Sequence, residues 1–150
     1  MDTVTIISRF PHVNILLAAA ALVIAAPPLH ADETIDVALI DHGMDSMKMD
    51  LSREQVKAGT VTFKITNKSE TLVHEFVVAK SDRPVETLPY NQNEMELTES
   101  AVAVENELDD IDPGKSGALT IKLEPGAYIL LCNKPGHFKA GMVRTLTVTQ

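Results

Sequence analysis

From Thr34 to Ile40 the chain sets Ile35, Val37 and Leu39 against Thr34, Asp36 and Ala38, the period-two alternation of a strand with one buried face. Thr60 to Thr66 repeats it with Val61, Phe63 and Ile65. The polar turn Asn67-Lys68-Ser69-Glu70 separates that run from the apolar stretch Leu72 to Ala79, so the two runs are expected to pair or to neighbour one another. Lys115 to Leu123 alternates again through Leu119, Ile121 and Leu123, stops at Glu124-Pro125-Gly126 and leads into Ala127 to Cys132. A last strand is expected from Met142 or Val143 to Thr149, with Leu146 and Val148 apolar. Short strands divided by turn signals predict an all-β sandwich. The stretch from Pro84 to Asp112 departs from this pattern. Its Glu94 to Val104 portion is acidic, weakly helical and without alternation, so residues 84–112 read as an irregular insertion with a short helix, laid over one edge of the sandwich.

The N-terminus has a different character. Arg9 precedes an unbroken apolar run from Ile15 to Ala26, Pro27-Pro28 ends it, and Leu29-His30-Ala31 offers a small residue for cleavage before Asp32. The run is shorter than a typical spanning helix of about 20 residues, so residues 1–31 are expected to be a secretory signal peptide and residues 32–150 a single exported domain. A retained N-terminal anchor is the alternative. No later apolar run is long enough to span a membrane, and the expected location is the periplasm. The formal charge of −8 is unchanged by removing the leader, which carries one Asp and one Arg. So acidic a chain argues against nucleic acid as a partner and suits a basic protein partner, or solubility alone.

The sequence contains a single cysteine. In an exported chain it has no internal disulfide partner, which leaves an intermolecular bridge, a reactive thiol or a metal ligand. The surrounding residues favour the metal. Cys132-Asn133-Lys134-Pro135-Gly136-His137-Phe138-Lys139-Ala140-Gly141-Met142 places a thiolate, an imidazole and a thioether at five-residue steps on a loop rich in Gly and Pro. Soft sulfur with imidazole suits copper, and two His, one Cys and a weak axial Met form the ligand set of blue-copper sites. The second imidazole has to come from another strand, and His74, within Leu72 to Val78, is the internal candidate with a strand context. A core histidine and a core methionine are the plainer readings of His74 and Met142. The loop spacing turns both toward copper. Pro135 and Gly136 let the chain turn tightly enough for Cys132 and His137 to face one metal, and Gly141 is expected to do the same before Met142. Glu75 reads as a solvated strand charge, with an acceptor behind the ligands as the alternative, and Phe138 as a near-surface residue of an apolar docking patch.

With these residues in view, the chain resembles the cupredoxins. The resemblance runs from about Thr34 to Gln150 and rests on Ala58 to Asn67 followed by His74-Glu75, and on Pro125 to Cys132 feeding the loop. Four residues between Cys and His, and four between His and Met, are similar to the loop of the rusticyanin and sulfocyanin branch rather than the tighter plastocyanin loop. The resemblance implies a Greek-key β-sandwich, copper held by His74, Cys132, His137 and Met142, and an electron-transfer function with cytochrome- or oxidase-type redox partners. Asn133 departs from the Ser or Thr that many relatives carry after the Cys, which bears on the hydrogen bonding at the sulfur.

A second constellation stays open. Asp41-His42-Gly43-Met44-Asp45-Ser46-Met47-Lys48-Met49 holds one imidazole, His42, and three thioethers, Met44, Met47 and Met49, a soft set that selects Cu(I). The plainer reading packs Met49, with Met44, into the core and leaves His42 solvated. Similar segments occur in periplasmic cupredoxins tied to copper tolerance, so a copper-handling protein acting with copper-handling partners is the alternative function. An enzyme is not expected: beyond the leader the chain has only His42, His74 and His137, too few imidazoles for a catalytic copper besides the first site. A monomer is expected.

Overall fold

The computed structural model describes residues 32–150; the expected signal peptide, 1–31, lies outside the described residues. Eleven strands follow one another: β1 (Glu33–Asp41), β2 (Met47–Leu51), β3 (Gln55–Lys57), β4 (Gly59–Asn67), β5 (His74–Lys80), β6 (Tyr90–Asn91), β7 (Glu96–Leu97), β8 (Ala103–Ile111), β9 (Ser116–Leu123), β10 (Gly126–Leu131) and β11 (Val143–Thr149). They form one sheet in the order β2-β1-β4-β9, a second in the order β3-β11-β10-β5-β8, and the small hairpin β6-β7. The architecture is the all-β sandwich that the alternation predicts. Among the described residues no helix is long and apolar enough to cross a membrane.

The alternating residues of β1 and β4 lie side by side, with Ile35 opposite Phe63 and Val37 opposite Ile65 in a parallel pairing, and Val61 meets Ile121 of β9. Their inward faces join Phe76, Val78, Leu130 and Leu146 of the second sheet in one core between the layers. Each large apolar side chain buried there contributes on the order of 1.5–3 kcal/mol. A second cluster lies on the outer face of the second sheet, where Val77, Ala79, Ile129, Leu131 and Phe138 are covered by Leu88 and Leu97. β5 and β10 are thus buried on both faces. That is why Phe76 to Ala79 and Ile129 to Leu131 are unbroken apolar runs rather than alternating ones.

Two details of the sequence reading change. β4 and β5 do not pair: they belong to opposite sheets, and their contact is across the core, with the Phe63 and Phe76 rings 5.1 Å apart. The polar turn between them is a crossing. Asn67 steadies it, its side-chain amide donating to the carbonyls of Leu72 and Ile111 at 2.8 Å each while its Oδ1 accepts from the Ser69 amide. Within 84–112 the helical content is two single 3-10 turns, Val85–Thr87 and Glu99–Ala101. The segment covers the outer face of β5 and β10, and its end, β8, is itself the edge strand of the second sheet. β8 carries Glu105, Glu107, Asp109 and Asp110 and is exposed along nearly all its length, so it had no apolar face to show in the pattern. Charge on an exposed edge also discourages pairing with other chains.

Candidate metal centre

His74 opens β5, Cys132 follows β10, and His137 lies in the loop between β10 and β11. Adjacent antiparallel pairing of β5 with β10, Leu131 opposite Val77, brings the start of one strand to the end of the other. All three side chains are buried, and their ligand atoms lie within 4.8 Å of one another. His74 Nδ1 is 3.0 Å from His137 Nδ1, while Cys132 Sγ is 3.7 Å from the first nitrogen and 3.3 Å from the second. Two imidazole nitrogens and one sulfur converging in a dry site, with no cationic side chain among them, fit a soft or borderline metal ion.

The loop owes its shape to local chemistry. Gly136 has φ 85° and Gly141 φ 111°, both in the left-handed region that favours glycine. At Gly141 a Cβ would lie 2.5 Å from the Met47 carbonyl oxygen, so no other residue allows that approach. Between them one turn closes through Ala140 N–H to Gly136 O at 3.0 Å and Met142 N–H to His137 O at 3.0 Å. Cys132 N–H donates to Met142 O at 3.0 Å. Met142, fully buried, is therefore pinned by its backbone to both Cys132 and His137.

Behind these residues stands a set of polar contacts in which Asp41 is a partner of His74 that the sequence does not single out, while Glu75 takes its alternative reading, an acceptor behind the ligands. Asp41, at the end of β1, places Oδ2 3.2 Å from His74 Nε2, the ring nitrogen opposite the one facing Cys132. Burial raises the Asp41 carboxyl, but hydrogen bonds from Ser69, His74 and the Gly43 amide outweigh it and hold the group below its ordinary range. A carboxylate on the far nitrogen fixes the tautomer and orientation of a ligating imidazole. Glu75 is not a solvated charge. It is buried, its Oε1 accepts from the Asn133 amide at 2.6 Å, and its own amide points at Cys132 Sγ at 3.4 Å. Asn133 continues the chain of contacts: Oδ1 accepts from the Leu97 amide at 2.7 Å and Nδ2 donates to the Leu97 carbonyl at 3.0 Å. The residue after the cysteine thus fastens the ligand loop to β7, and the contacts to sulfur come from the backbone of Glu75 and of Lys134.

Burial sets the protonation states. It pushes the Cys132 thiol up to about 12 and His137 down to about 4, in the second case helped by His74. His74 is lowered as well, by burial, with Asp41 opposing. Both rings are consequently neutral at neutral pH and able to offer a lone pair. Glu75 is raised, chiefly by burial.

The other candidate residues separate. Met47 and Met49 point into the core from β2, whereas His42 and Met44 are exposed on the loop before it, so the four are not brought together. Phe138 is not at the surface either. It is buried in the outer-face cluster, its ring centroid 6.1 Å from that of Tyr90.

Residues 36–149 match the family model for copper binding proteins of the plastocyanin/azurin family. Auracyanin-B of Chloroflexus aurantiacus is 48% identical over 40 residues, a stretch covering 26% of this chain and only 17% of that protein's length. Among solved structures, dithionite-reduced auracyanin from Roseiflexus castenholzii superposes with a TM-score of 0.56 at 21% identity, covering 78% of this chain and 97% of that one. Rusticyanin from Thiobacillus ferrooxidans gives 0.58 at 17% identity, covering 79% and 77%. At such identities the structural likeness speaks for the fold. The family match covers most of the chain, and the buried group His74, Cys132 and His137 could hold a metal ion. The chain belongs to the plastocyanin/azurin family of copper binding proteins, the cupredoxins, and copper is its cofactor.

Proposed function

We propose that the protein is an exported type 1 copper protein that carries single electrons, with His74, Cys132 and His137 as the trigonal ligands and Met142 as the axial one. The observation that carries this reading is the convergence of two Nδ1 atoms and one Sγ in a buried site whose members are each held by backbone or side-chain hydrogen bonds. Copper when bound alternates between Cu(II) and Cu(I), a one-electron change that needs no bond to the protein made or broken. What the chain contributes is resistance to movement. His74 starts a strand buried on both faces, Asp41 braces its ring from behind, and Glu75 and Asn133 tie the loop to β5 and β7. Ligands so fixed suit both oxidation states equally badly or well, which keeps the reorganisation on electron transfer small. Met142 supports the axial assignment by its complete burial and by backbone bonds to both neighbouring ligands. The partner would be a redox protein outside the cytoplasm, residues 1–31 serving as the export signal.

Voltammetry of the copper-loaded protein tests the reading. A reversible one-electron wave with fast heterogeneous exchange, together with an intense visible thiolate-to-copper band, is the expected result. Copper bound without the band, or a wave too slow to be reversible, would remove the electron-carrier function.

A further inference from the structure

Two methionines unrelated in sequence approach the same residue of the ligand loop. Gly136 stands next to His137, and the point where its side chain would begin is already occupied on two sides, by the Met44 and Met95 methyl groups at 3.3 and 4.0 Å. Met44 comes from the loop between β1 and β2, Met95 from the turn between β6 and β7. They are the most exposed large apolar side chains among the described residues, at 47% and 46%.

Both are held there. The Met44 loop leaves Asp41, which contacts His74 Nε2 at 3.2 Å, and returns at Met47, whose amide donates to Ala140 O of the ligand loop at 2.9 Å. Met95 adopts φ 58°, a left-handed conformation rare for a residue without a polar side chain, and its carbonyl accepts from the Gly136 amide at 2.7 Å. Backbone strain of this kind persists where surrounding contacts impose it, as that hydrogen bond does here. Beneath the pair lies the point where the centre comes nearest to solvent: His137 is 5% exposed, whereas His74, Cys132 and Met142 are fully buried.

We propose that Met44 and Met95 are a surface site for Cu(I), through which copper enters the buried centre. The inference rests on the copper reading above and adds to it a route and an oxidation state. Thioethers are soft donors that select Cu(I) over Cu(II) and over hard cations. An apolar contact patch would be served by any aliphatic side chain; here both exposed residues bear sulfur. Copper arrives on a donor from which thioethers displace it, and it passes over Gly136 to His137 and Cys132. It stays Cu(I) throughout, so no electron is exchanged, and the Cys132 thiol proton goes to solvent as the Cu–S bond forms.

Stopped-flow mixing of copper-free protein with the Cu(I)–bicinchoninate complex, followed by loss of the complex's colour, tests the route. Met44→Leu/Met95→Leu is expected to load about tenfold more slowly than the wild type from Cu(I). Loading from Cu(II) sulfate, the final visible band and the unfolding midpoint should stay unchanged, since leucine keeps the apolar volume. Equal Cu(I) rates, or equal slowing with Cu(II), would overturn the proposal. So would a double variant that loads normally yet exchanges electrons more slowly with a redox protein, which would make the pair a docking patch. A second measurement needs no variant: Ag(I) added to the Cu(I)-loaded, methyl-labelled protein should shift the Met44 and Met95 methyl resonances and leave Met47, Met49 and Met142 in place. Absence of that shift also overturns it. If copper gives no visible band in the wild type, the parent reading fails; if the band is normal and the rates are equal, only the entry route does.

Discussion

The Asp41 carboxylate lies 3.2 Å from Nε2 of His74, on the side of the ring away from the Nδ1 that faces Cys132 and His137. Two strands of opposite sheets are thereby joined at the metal centre. The arrangement makes Asp41 responsible for the tautomer that leaves Nδ1 free. Asp41→Ala is expected to weaken copper binding by about 10–100-fold, the usual effect of removing a partner behind a ligating histidine. Asp41→Asn, which keeps an acceptor but not the charge, should bind more nearly as the wild type while showing a higher reduction potential, because a less basic imidazole favours Cu(II) less. Competition with a chelator measures the first effect and voltammetry the second. Unchanged values in both variants would leave Asp41 as a surface cap on β1.

Glu75 should divide into two separable roles. Glu75→Ala leaves the Asn133 amide buried and unpaired, at a cost of about 1–3 kcal/mol, and frees the start of the ligand loop. Glu75→Gln retains an acceptor for that amide. Burial raises the Glu75 pKa, so the native state holds this proton more tightly than the unfolded chain, and stability falls as pH rises through the carboxylate range. The Gln variant is expected to lose that part of the pH dependence and to keep Asn133 protected in amide exchange, whereas the Ala variant loses the protection. Chemical denaturation at several pH values, with exchange read at Asn133, distinguishes them.

Copper binding should release one proton. The Cys132 thiol, raised to about 12 by burial, is protonated in the copper-free protein at neutral pH, while His137, lowered to about 4, is not. Since the metal takes the thiolate, apparent Cu(II) affinity is expected to rise about tenfold per pH unit between roughly pH 7 and 9. Titration in weakly buffered solution counts the proton directly. Cys132→Ser should abolish both the release and the visible band; a band that survives the change would contradict the thiolate assignment.

Met142 is tested by its chemistry rather than by its absence. Met142→Gln places an oxygen donor in the axial position, favours Cu(II) and should lower the reduction potential with copper still bound. Met142→Leu removes axial donation at nearly constant volume and should raise it. Potentials equal to the wild type in both would show that the side chain only packs the core.

Much of the centre could be read along the chain because its parts are local. Cys132 and His137 occupy one loop, with Met142, the proposed axial ligand, at its end; the residues that bend it are Pro and Gly within the same eleven positions, and period-two alternation depends on each strand alone. His74 was legible for a related reason: few imidazoles are available, and only one sits in a strand-like run. What alternation cannot express is a strand with no buried face, and so β8, charged and exposed at the sheet edge, passed for irregular chain.

The remaining relationships connect residues far apart in sequence, and only the packing of the two sheets decides them. Met47 and Met49 alternate toward the core while Met44, a few positions earlier, does not, because the chain enters β2 between them. Asp41 reaches His74 because β1 ends beside the start of β5, and Glu75 turns inward to Asn133 because β5 is covered on both faces and offers its charge no solvent. Met95 stands beside Gly136 because hydrogen bonds join the two loops, from the Gly136 amide to the Met95 carbonyl and between Asn133 and Leu97. A sequence states which donors exist and which lie in succession; burial and the distances across the sandwich determine which of them can hold one ion.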